Sequence, residues 1–343
     1  MRETDRVERD ELVYLSRDPV NAETPLEKQT GVITPASRHY VRDHFARPDA
    51  PERLAVDGAV RTPLDLGLDD IRSLPARSLV VTLECAGNGR AFLDPPAPGE
   101  QWRIGAVGTA EWTGTPLRVV LEMAGPLPSA IEVLCSGADT GTPADVGRPI
   151  AYERSLQLAD AMREDVLLAY AMNGADLPAA HGAPLRLIVP GWYGMASVKW
   201  LARLRMLERR FDGFFQAQRY VVEDRPLREI APRAVITHPV DGQRLALGPL
   251  SVSGYVWSGR GDVAGVEVSD DGGVSWRDAS LGPARSRYAW RQWQAEVVPS
   301  TTGALTLLAR AVTAAGVTQP TVPVRTTLGY ENNAARPVRV EIV

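Results

Sequence analysis

The residues that follow position 233 carry strand signals throughout, and this restricts what the C-terminal third of the chain can fold into. Apolar and polar residues alternate in LSVSGYVWSG, YAWRQWQAEVV and PVRVEIV, which is the period of a half-buried strand. The sequence DDGG at 270–273 predicts a tight hairpin turn. A region of this length and pattern is typical of two packed antiparallel sheets, so we expect an immunoglobulin-like sandwich.

The segment VVEDRPLREIAPR (221–233) separates this region from a different kind of sequence. Its two prolines and many charges are typical of a domain boundary, which we place between residues 228 and 229. A chain of 343 residues also exceeds the size of one ordinary core. We therefore predict a first domain over 1–228 and a second over 229–343.

The first domain mixes short strand signals with a helical one. Residues 115–125 (TPLRVVLEMAG) predict a helix that Thr115 caps and Gly125 ends. Elements in such irregular order predict an α+β domain rather than a repeating βαβ sheet. The predicted buried strands are SLVVTLEC (78–85), AIEVLC (130–135), VLLAYAMNG (166–174) and PLRLIVPG (184–191).

Three further local predictions concern this domain. The sequence RLAVDGAVRTPLDL indicates two strands joined around Asp57 and Gly58. From Val198 onward, VKWLARLRM alternates apolar and polar residues, which predicts a half-buried strand with Lys199 on its polar face. The first 30 or so residues show no clear periodicity, so we expect them to lie extended over the surface.

Charge and composition exclude several classes of function. The net charge of −4 gives no general attraction to nucleic acid or to an anionic membrane. No apolar run approaches membrane-spanning length, and the charged N-terminus has no signal-peptide pattern. We expect a cytoplasmic protein, or a periplasmic one if a leader was removed. Two cysteines cannot form a disulfide scaffold, and in the cytosol they would be reduced thiols.

The stretch LVVTLECAGNGR (79–90) delivers one of these cysteines to the end of a predicted strand. Cys85 can be an ordinary core residue, because free cysteine is among the most buried residue types. Gly87 and Gly89, however, allow the backbone to approach a bulky ligand, and Arg90 would favour a thiolate. A thiolate is a nucleophile or a ligand for a soft metal.

The alternatives for Cys85 differ in the partners they require. A nucleophilic cysteine needs an activating histidine; His39, His44, His181 and His238 are available, but no local pattern ties one of them to Cys85. A zinc site needs further ligands, and CAGN offers no second Cys or His. A metal carried in by a cofactor, a core cysteine and a cysteine hydrolase all stay open on this reasoning.

Five stretches, in order, resemble the sulfite oxidase and assimilatory nitrate reductase family of mononuclear molybdenum (molybdopterin) oxidoreductases, in its haem-free bacterial form. LECAGNGR is similar to the cysteine motif that ligates molybdenum in that family. Residues 253–276 resemble its dimerisation domain, and residues 21–44, 102–121 and 165–201 resemble three further segments. The resemblance implies a mixed α/β cofactor domain followed by an immunoglobulin-like dimerisation domain.

Site residues follow from the same resemblance, position by position. It implies a molybdenum ion held by one molybdopterin, with Cys85 as the protein sulfur ligand. The positions that match the family's substrate site are Arg42, Arg90, Trp102 and Tyr152, and guanidinium groups suit a small oxyanion. The positions that match its cofactor contacts are Tyr40, Arg42, His44, Asp139, His181, Arg186, Ser197, Val198 and Lys199.

The function that the resemblance implies is oxidation of sulfite to sulfate by oxygen-atom transfer at molybdenum. Reduction of nitrate, another oxyanion or an S-oxide at the same centre is the alternative. The sequence contains no C-x-x-C-H haem motif, so we expect no haem and an external electron acceptor, either a cytochrome or oxygen. We also expect a homodimer. A non-catalytic binding protein built on the sandwich is a hypothesis of a different class.

Several positions of this sequence depart from the family pattern or allow two interpretations. Gly89 stands where many members have arginine, and Asp43 where asparagine is usual, so both changes reduce positive charge near the expected site. Residues 336–337 (Arg-Pro) stand where a histidine is common. Aromatic residues on strands usually face inward, so we assign four tryptophans to the sandwich core rather than to a subunit interface: Trp257, Trp276, Trp290 and Trp293.

Overall fold

The computed structural model describes residues 11–343. The first element of this described part is a small antiparallel sheet. Strands β1 (Val13–Arg17), β2 (Val20–Glu23) and β3 (Val41–Arg42) lie side by side in that order. Residues 21–26 are buried, and the Thr24 hydroxyl donates a hydrogen bond to the Val107 carbonyl at 2.7 Å. The prediction of an extended surface segment is therefore wrong for residues 21–26, because their side chains complete the first domain's interior.

A five-stranded sheet forms one half of the first domain, in the order β5-β4-β13-β8-β9. Its strands are β4 (Arg53–Gly58), β5 (Leu64–Gly67), β8 (Glu132–Gly141), β9 (Ile150–Gln157) and β13 (Leu201–Leu207). Strands β4 and β5 pair antiparallel, as predicted, but the turn occupies residues 59–63 rather than Asp57 and Gly58. Gly58 ends β4 with φ +87°, a value that favours glycine.

A second sheet of the first domain carries the cysteine-bearing strand, in the order β11-β10-β7-β6, with β12 paired to β10. Its strands are β6 (Arg77–Glu84), β7 (Val107–Pro116), β10 (Leu167–Met172), β11 (Ala175–Asp176) and β12 (Arg186–Ile188). The strands predicted over 78–85, 130–135, 166–174 and 184–191 all correspond to strands of these two sheets.

In the part of the first domain that the structure describes, α-helices are few and short, and most of the regular structure is sheet. These helices are α1 (Leu68–Arg72), α2 (Leu117–Ala124) and α3 (Leu158–Ala161). Helix α2 confirms the predicted helix and ends at Gly125, whose φ is +64°. Thr115 does not cap it, because Thr115 lies in β7 and its hydroxyl donates to the Ile71 carbonyl at 2.9 Å. No helix within 11–343 combines the length and hydropathy needed to cross a bilayer.

The strand predicted from Val198 begins three residues later than expected. Trp200 has φ +48° and is buried, so the chain bends there before β13 starts at Leu201. Leu204 and Met206 are buried in β13, as their spacing predicts. Lys199 does not occupy the polar face of a strand. It lies in the bend, where its side chain turns into a pocket.

The second domain consists of two packed sheets. One has the order β16-β18-β22-β21 and the other β17-β24-β23-β19-β20. The hairpin predicted at 270–273 connects two neighbouring strands of the second sheet, and the two-sheet architecture agrees with the predicted sandwich; its immunoglobulin-like class stays a prediction. The strands are β16 (Arg233–His238), β17 (Arg244–Leu245), β18 (Leu250–Trp257), β19 (Val263–Ser269), β20 (Arg277–Asp278), β21 (Ser280–Leu281), β22 (Arg291–Val297), β23 (Gly303–Thr313) and β24 (Val338–Ile342).

A hairpin of β14 (Val221–Val222) and β15 (Arg225–Pro226) connects the domains, which share an extensive apolar contact. Tyr255, Trp257 and Trp290 are buried against the first domain's core, so the assignment of these two tryptophans to the sandwich core is wrong. The Trp290 indole donates to the Val32 carbonyl at 2.6 Å. Trp293 lies in the sandwich core, as predicted. Trp276 is only half-buried and packs under the Arg310 guanidinium, so its assignment to the core is wrong.

Candidate active site

A single pocket gathers most of the predicted site residues at the junction of the two sheets of the first domain. Its cavity volume is about 60 Å³, and it opens to solvent. Strands β3, β8, β9 and β12, the loop after β6 and the bend before β13 contribute its walls. The predicted residues that line it are Tyr40, Arg42, His44, Cys85, Asp139, Tyr152, His181, Arg186, Ser197 and Lys199.

Cys85 presents its thiol to this pocket from a tight turn. Strand β6 ends at Glu84, the Cys85 N–H donates to the Ala106 carbonyl at 2.8 Å, and the Cys85 carbonyl accepts from the Asn88 N–H at 2.9 Å. Burial raises the pKa of the Cys85 thiol, although Arg42 and Arg90 oppose that shift. Arg90 thus favours the thiolate, as expected, but burial outweighs its effect on the pKa. A metal cation that binds this sulfur would displace its proton.

Among residues 11–343, two arginines of the pocket have no carboxylate partner. The buried Arg186 guanidinium donates to the carbonyls of His181 and Ser197, each at 2.9 Å, and burial lowers its pKa to about 10. Arg42 donates to the Asn21 side-chain oxygen at 3.0 Å. Within residues 11–343, no Asp or Glu lies within 4 Å of either guanidinium. Because buried cations are normally paired with anions, this arrangement favours an anionic ligand.

Lys199 is the third cation of the pocket, and it has a partner. Its amine forms an ion pair with Asp43, whose side chain is 2% exposed, and donates to the Ala180 carbonyl at 3.1 Å. The departure at position 43 thus places a buried carboxylate directly on Lys199. The positive charge available to a ligand at this end of the pocket is reduced accordingly.

Asp139 supplies an unused acceptor. Its Oδ1 atom is buried and has no hydrogen-bond partner among residues 11–343. Burial raises the pKa of Asp139 to about 7, and Lys199 only partly opposes this shift. A ligand with N–H donors would satisfy the orphaned oxygen and stabilise its charged form.

The histidines of the pocket are held neutral. Burial lowers the pKa of His181 well below its usual range, with a further contribution from His39. The Nε2 atom of His181 donates to the Ala36 carbonyl at 2.9 Å. His39 also lines the pocket, with its ring centroid 5.2 Å from that of His181. Sequence reasoning considered His39 only as a candidate partner of Cys85.

Tyr152 and Tyr220 are two of the three tyrosines that line the pocket, and their hydroxyl groups have different partners. The Tyr152 hydroxyl donates to the Met195 carbonyl at 2.7 Å, so its proton is engaged by the main chain. The Tyr220 hydroxyl shares a hydrogen bond of 2.7 Å with Nε2 of His44. Tyr220 lies just after a π-helical turn at 215–219. No periodicity or motif in FFQAQRYVV marks Tyr220 as a site residue, and sequence reasoning missed it.

Three predicted residues lie behind the pocket rather than on its surface. Val198 is fully buried, and its carbonyl accepts from the Leu187 N–H at 2.8 Å. Trp102 is fully buried in the cluster that contains Cys85, and its indole N–H has no partner among the described residues. Arg90 is buried and donates to the carbonyls of Leu328 and Glu100. The catalytic roles of Arg90 and Trp102 stay predictions.

Comparison with known proteins identifies the family. Residues 44–215 match the family described as oxidoreductase molybdopterin binding domain, and residues 225–342 match the Mo-co oxidoreductase dimerisation domain. The chain belongs to the sulfite oxidase family of molybdenum oxidoreductases.

Similarity to individual members of the sulfite oxidase family extends over nearly the whole chain. The mitochondrial sulfite oxidase of Mus musculus is 37% identical over 96% of this chain, which spans 65% of that relative's length. The nitrate reductase [NADH] of Spinacia oleracea is 30% identical over 92% of this chain and 39% of its own length. The solved structure of the sulfane dehydrogenase SoxCD from Paracoccus pantotrophus superposes with a TM-score of 0.85, at 28% identity, over 99% of this chain and 90% of that one.

The pocket fits the cofactor class of the sulfite oxidase family on its own chemistry. The guanidinium groups of Arg42 and Arg186, which pair with no carboxylate of residues 11–343, suit an anionic group. The orphaned Asp139 oxygen suits a donor on a heterocycle edge. The thiol of Cys85 suits a soft metal. These three requirements match the phosphate, pterin and molybdenum of a molybdopterin.

Proposed function

We propose that this protein oxidises sulfite to sulfate at a molybdopterin-bound molybdenum whose protein sulfur ligand is Cys85. The observation that carries the proposal is the juxtaposition of the buried Cys85 thiol with buried Arg186 and half-buried Arg42, neither of which has a carboxylate partner in residues 11–343. The similarity to the mitochondrial sulfite oxidase of Mus musculus supports the choice of substrate. The sulfur and the cations together suit a metal cofactor and an oxyanion.

The cofactor would be held by the polar residues at the inner end of the pocket. Arg186 and Lys199 would receive its phosphate, and Asp139 would accept from its pterin N–H groups. His181 is neutral and donates to the Ala36 carbonyl, so it fixes the chain segment beside Arg186. When bound, the molybdenum would supply the oxygen atom and accept two electrons.

The remaining pocket residues would bind and orient the substrate. Arg42 offers a guanidinium fork that matches sulfite oxygens. Tyr220 and His44 form a hydrogen-bonded pair that can hold a proton near those oxygens. Burial, together with the cations Arg42 and Lys199, keeps the pKa of His44 low, so the imidazole is neutral near pH 7. A neutral imidazole can accept the tyrosine proton in that hydrogen bond.

Electrons would leave the protein through an external acceptor. The sequence has no haem-attachment motif, and each of its domains matches a molybdenum-enzyme domain. We propose a cytochrome or oxygen as the acceptor, and a protein free of haem. Purified protein should therefore reduce ferricyanide with sulfite and show no haem absorbance.

The ligand role of Cys85 has a direct test. Cys85→Ser should lose sulfite-dependent ferricyanide reduction and should lower the molybdenum-to-protein ratio measured by elemental analysis. Cys135→Ser is the control, because Cys135 is also buried but lies in β8 and does not line the pocket. Turnover retained in Cys85→Ser would overturn the proposal.

Nitrate reduction is the second candidate, favoured by the similarity to the Spinacia oleracea enzyme. Gly89 leaves the site without an arginine that many family members have, so affinity for sulfite has one less source of positive charge. Initial rates with sulfite plus ferricyanide, and with nitrate plus reduced viologen, separate the two functions on one preparation.

We also propose that the second domain pairs two copies of this chain, as its match to the dimerisation domain suggests. Light scattering on the full chain at micromolar concentration should give twice the 37.2 kDa monomer mass. A monomer at that concentration would contradict the homodimer.

A further inference from the structure

The turn that carries Cys85 is held by the second domain through a buried ion pair. The Glu84 carboxylate lies 2.9 Å from the Arg233 guanidinium, and the two side chains are 1% and 4% exposed. Glu84 also accepts from the Trp257 indole at 2.8 Å and from the Asn88 amide at 2.9 Å. Arg233 begins β16 and Trp257 ends β18, so both partners belong to the sandwich.

A second set of contacts comes from residues 328–333, which we call the clamp segment, between β23 and β24. The Ala86 carbonyl accepts from the Glu331 N–H at 3.1 Å, and the Gly89 carbonyl accepts from the Asn332 amide at 2.7 Å. Arg90 donates to the Leu328 carbonyl at 3.0 Å. These bonds hold the main chain on both sides of Cys85.

Arg233 connects the two sets. Its guanidinium donates to the Asn88 carbonyl at 3.2 Å and to the Asn332 carbonyl at 2.6 Å, in addition to its ion pair with Glu84. A planar guanidinium can serve several acceptors in fixed directions, which a single ammonium cannot. Arg233 therefore joins strand β6, the turn after it and the clamp segment into one rigid arrangement.

Gly89 shows how closely the clamp segment approaches the turn. A Cβ atom at position 89 would lie 2.8 Å from the Asn332 carbonyl oxygen, and the backbone there has φ +88°. Any side chain at position 89 would push the clamp segment away. Glycine at position 89, where many family members have arginine, thus allows the close contact with Asn332.

We propose that Arg233 and Asn332 are positioning residues that hold the Cys85 thiol in its ligating orientation, so the second domain contributes to the active site as well as to subunit pairing. The proposal rests on the proposed role of Cys85. Neither residue lines the pocket, and each acts only through the 84–90 turn. Local loosening of that turn, with the rest of the fold intact, is the expected effect of removing either one.

The test uses the full chain produced without cofactor, so it requires no molybdenum. Each protein is treated with iodoacetamide at fixed pH, and the labelling rates of Cys85 and Cys135 are read separately by peptide mass spectrometry. Cys135 is fully buried in β8 and reports global opening. In Arg233→Met and in the milder Asn332→Ala, we expect labelling of Cys85 to accelerate at least about tenfold and Cys135 to keep its rate.

Arg310→Met is the matched control. Arg310 forms a 2.6 Å ion pair with Glu267 between two strands of the sandwich, away from the 84–90 turn. This substitution should change neither rate. Equal acceleration of both cysteines, or an unchanged Cys85 rate in both test variants, would overturn the positioning role. Amide hydrogen exchange in residues 86–90 should rise in parallel with Cys85 labelling. If Cys85→Ser retains molybdenum and turnover, the proposed function fails, whereas the labelling result still decides the role of Arg233.

Discussion

The phenolic oxygen of Tyr220 lies 2.7 Å from Nε2 of His44, and both side chains line the pocket that Cys85 faces. His44 also stacks on Tyr152, with ring centroids 4.8 Å apart. The hydroxyl of Tyr152 is engaged by a main-chain carbonyl, so Tyr220 is the tyrosine whose proton is shared with another side chain of the pocket.

Removal of the Tyr220 hydroxyl should therefore affect turnover more than removal of the Tyr152 hydroxyl. We expect Tyr220→Phe to lower kcat/KM for sulfite about 10-fold to 100-fold, the range for one hydrogen bond to a charged group. Tyr152→Phe should lower stability by about 1 kcal/mol with a smaller loss of kcat/KM. Steady-state kinetics and urea unfolding measure both effects. The reverse order would assign the substrate contact to Tyr152, as the sequence suggested.

The ion pair between Lys199 and Asp43 should make stability depend on the cofactor. Asp43→Asn leaves the Lys199 ammonium without its counter-charge. The free energy of unfolding of the cofactor-free protein should therefore fall by on the order of 2 kcal/mol. The loaded protein should lose less, because a bound phosphate replaces the carboxylate. In thermal unfolding, cofactor binding should thus raise the Tm of Asp43→Asn more than it raises the Tm of the wild-type protein. An equal rise would mean that Lys199 does not contact the cofactor.

Asp139 should make the cofactor-free protein less stable as pH rises. Its pKa is about 7 in the folded state, above its usual value, so the folded state holds the proton more tightly than the unfolded chain. This stabilising contribution is complete at low pH and is lost as pH rises through about 7. Asp139→Asn should remove that dependence and gain about 1–3 kcal/mol near pH 8 relative to wild type.

The same substitution should weaken cofactor retention, because the asparagine amide accepts pterin N–H groups less strongly than a carboxylate does. Elemental analysis after dialysis measures the loss of molybdenum. Asp57→Asn serves as a control, since Asp57 pairs with Arg203 on the surface and does not line the pocket. Full molybdenum content in Asp139→Asn would contradict the assigned contact.

Trp290 should stabilise the contact between the domains. Its side chain is fully buried against the first domain, so Trp290→Ala should reduce the free energy of unfolding by about 3–5 kcal/mol. Trp276→Ala is the control. Trp276 is only half-buried, so its substitution should reduce the free energy of unfolding by less. Guanidinium titration followed by circular dichroism measures both. A small effect at Trp290 would indicate domains that are stable independently.

The sequence pattern predicted most of the strands and the pocket's cationic residues, for two physical reasons. Strand periodicity depends on neighbouring residues only. In β13, buried Leu204 and Met206 alternate with exposed arginines, as that periodicity predicts. The resemblance located Cys85, Asp139 and Arg186 because each lies in a recognisable stretch. Both kinds of signal come from residues that are close together in the sequence.

The missed features arise from contacts between distant segments. The bend at Trp200 turns Lys199 away from a strand face and toward Asp43, 156 residues earlier. Tyr220 contacts His44 across a similar sequence separation, 176 residues. Tertiary packing sets these positions, so local patterning cannot reveal them.

The clamp segment has a consequence for how the enzyme matures. A nascent chain that has emerged only through the first domain lacks both Arg233 and Asn332, so its thiol-bearing turn has no outer support. If Cys85 ligates the metal as proposed, metal insertion would follow translation of residues 328–333. A premature stop upstream of residue 328 should then lower the molybdenum content of the protein, as well as prevent its pairing.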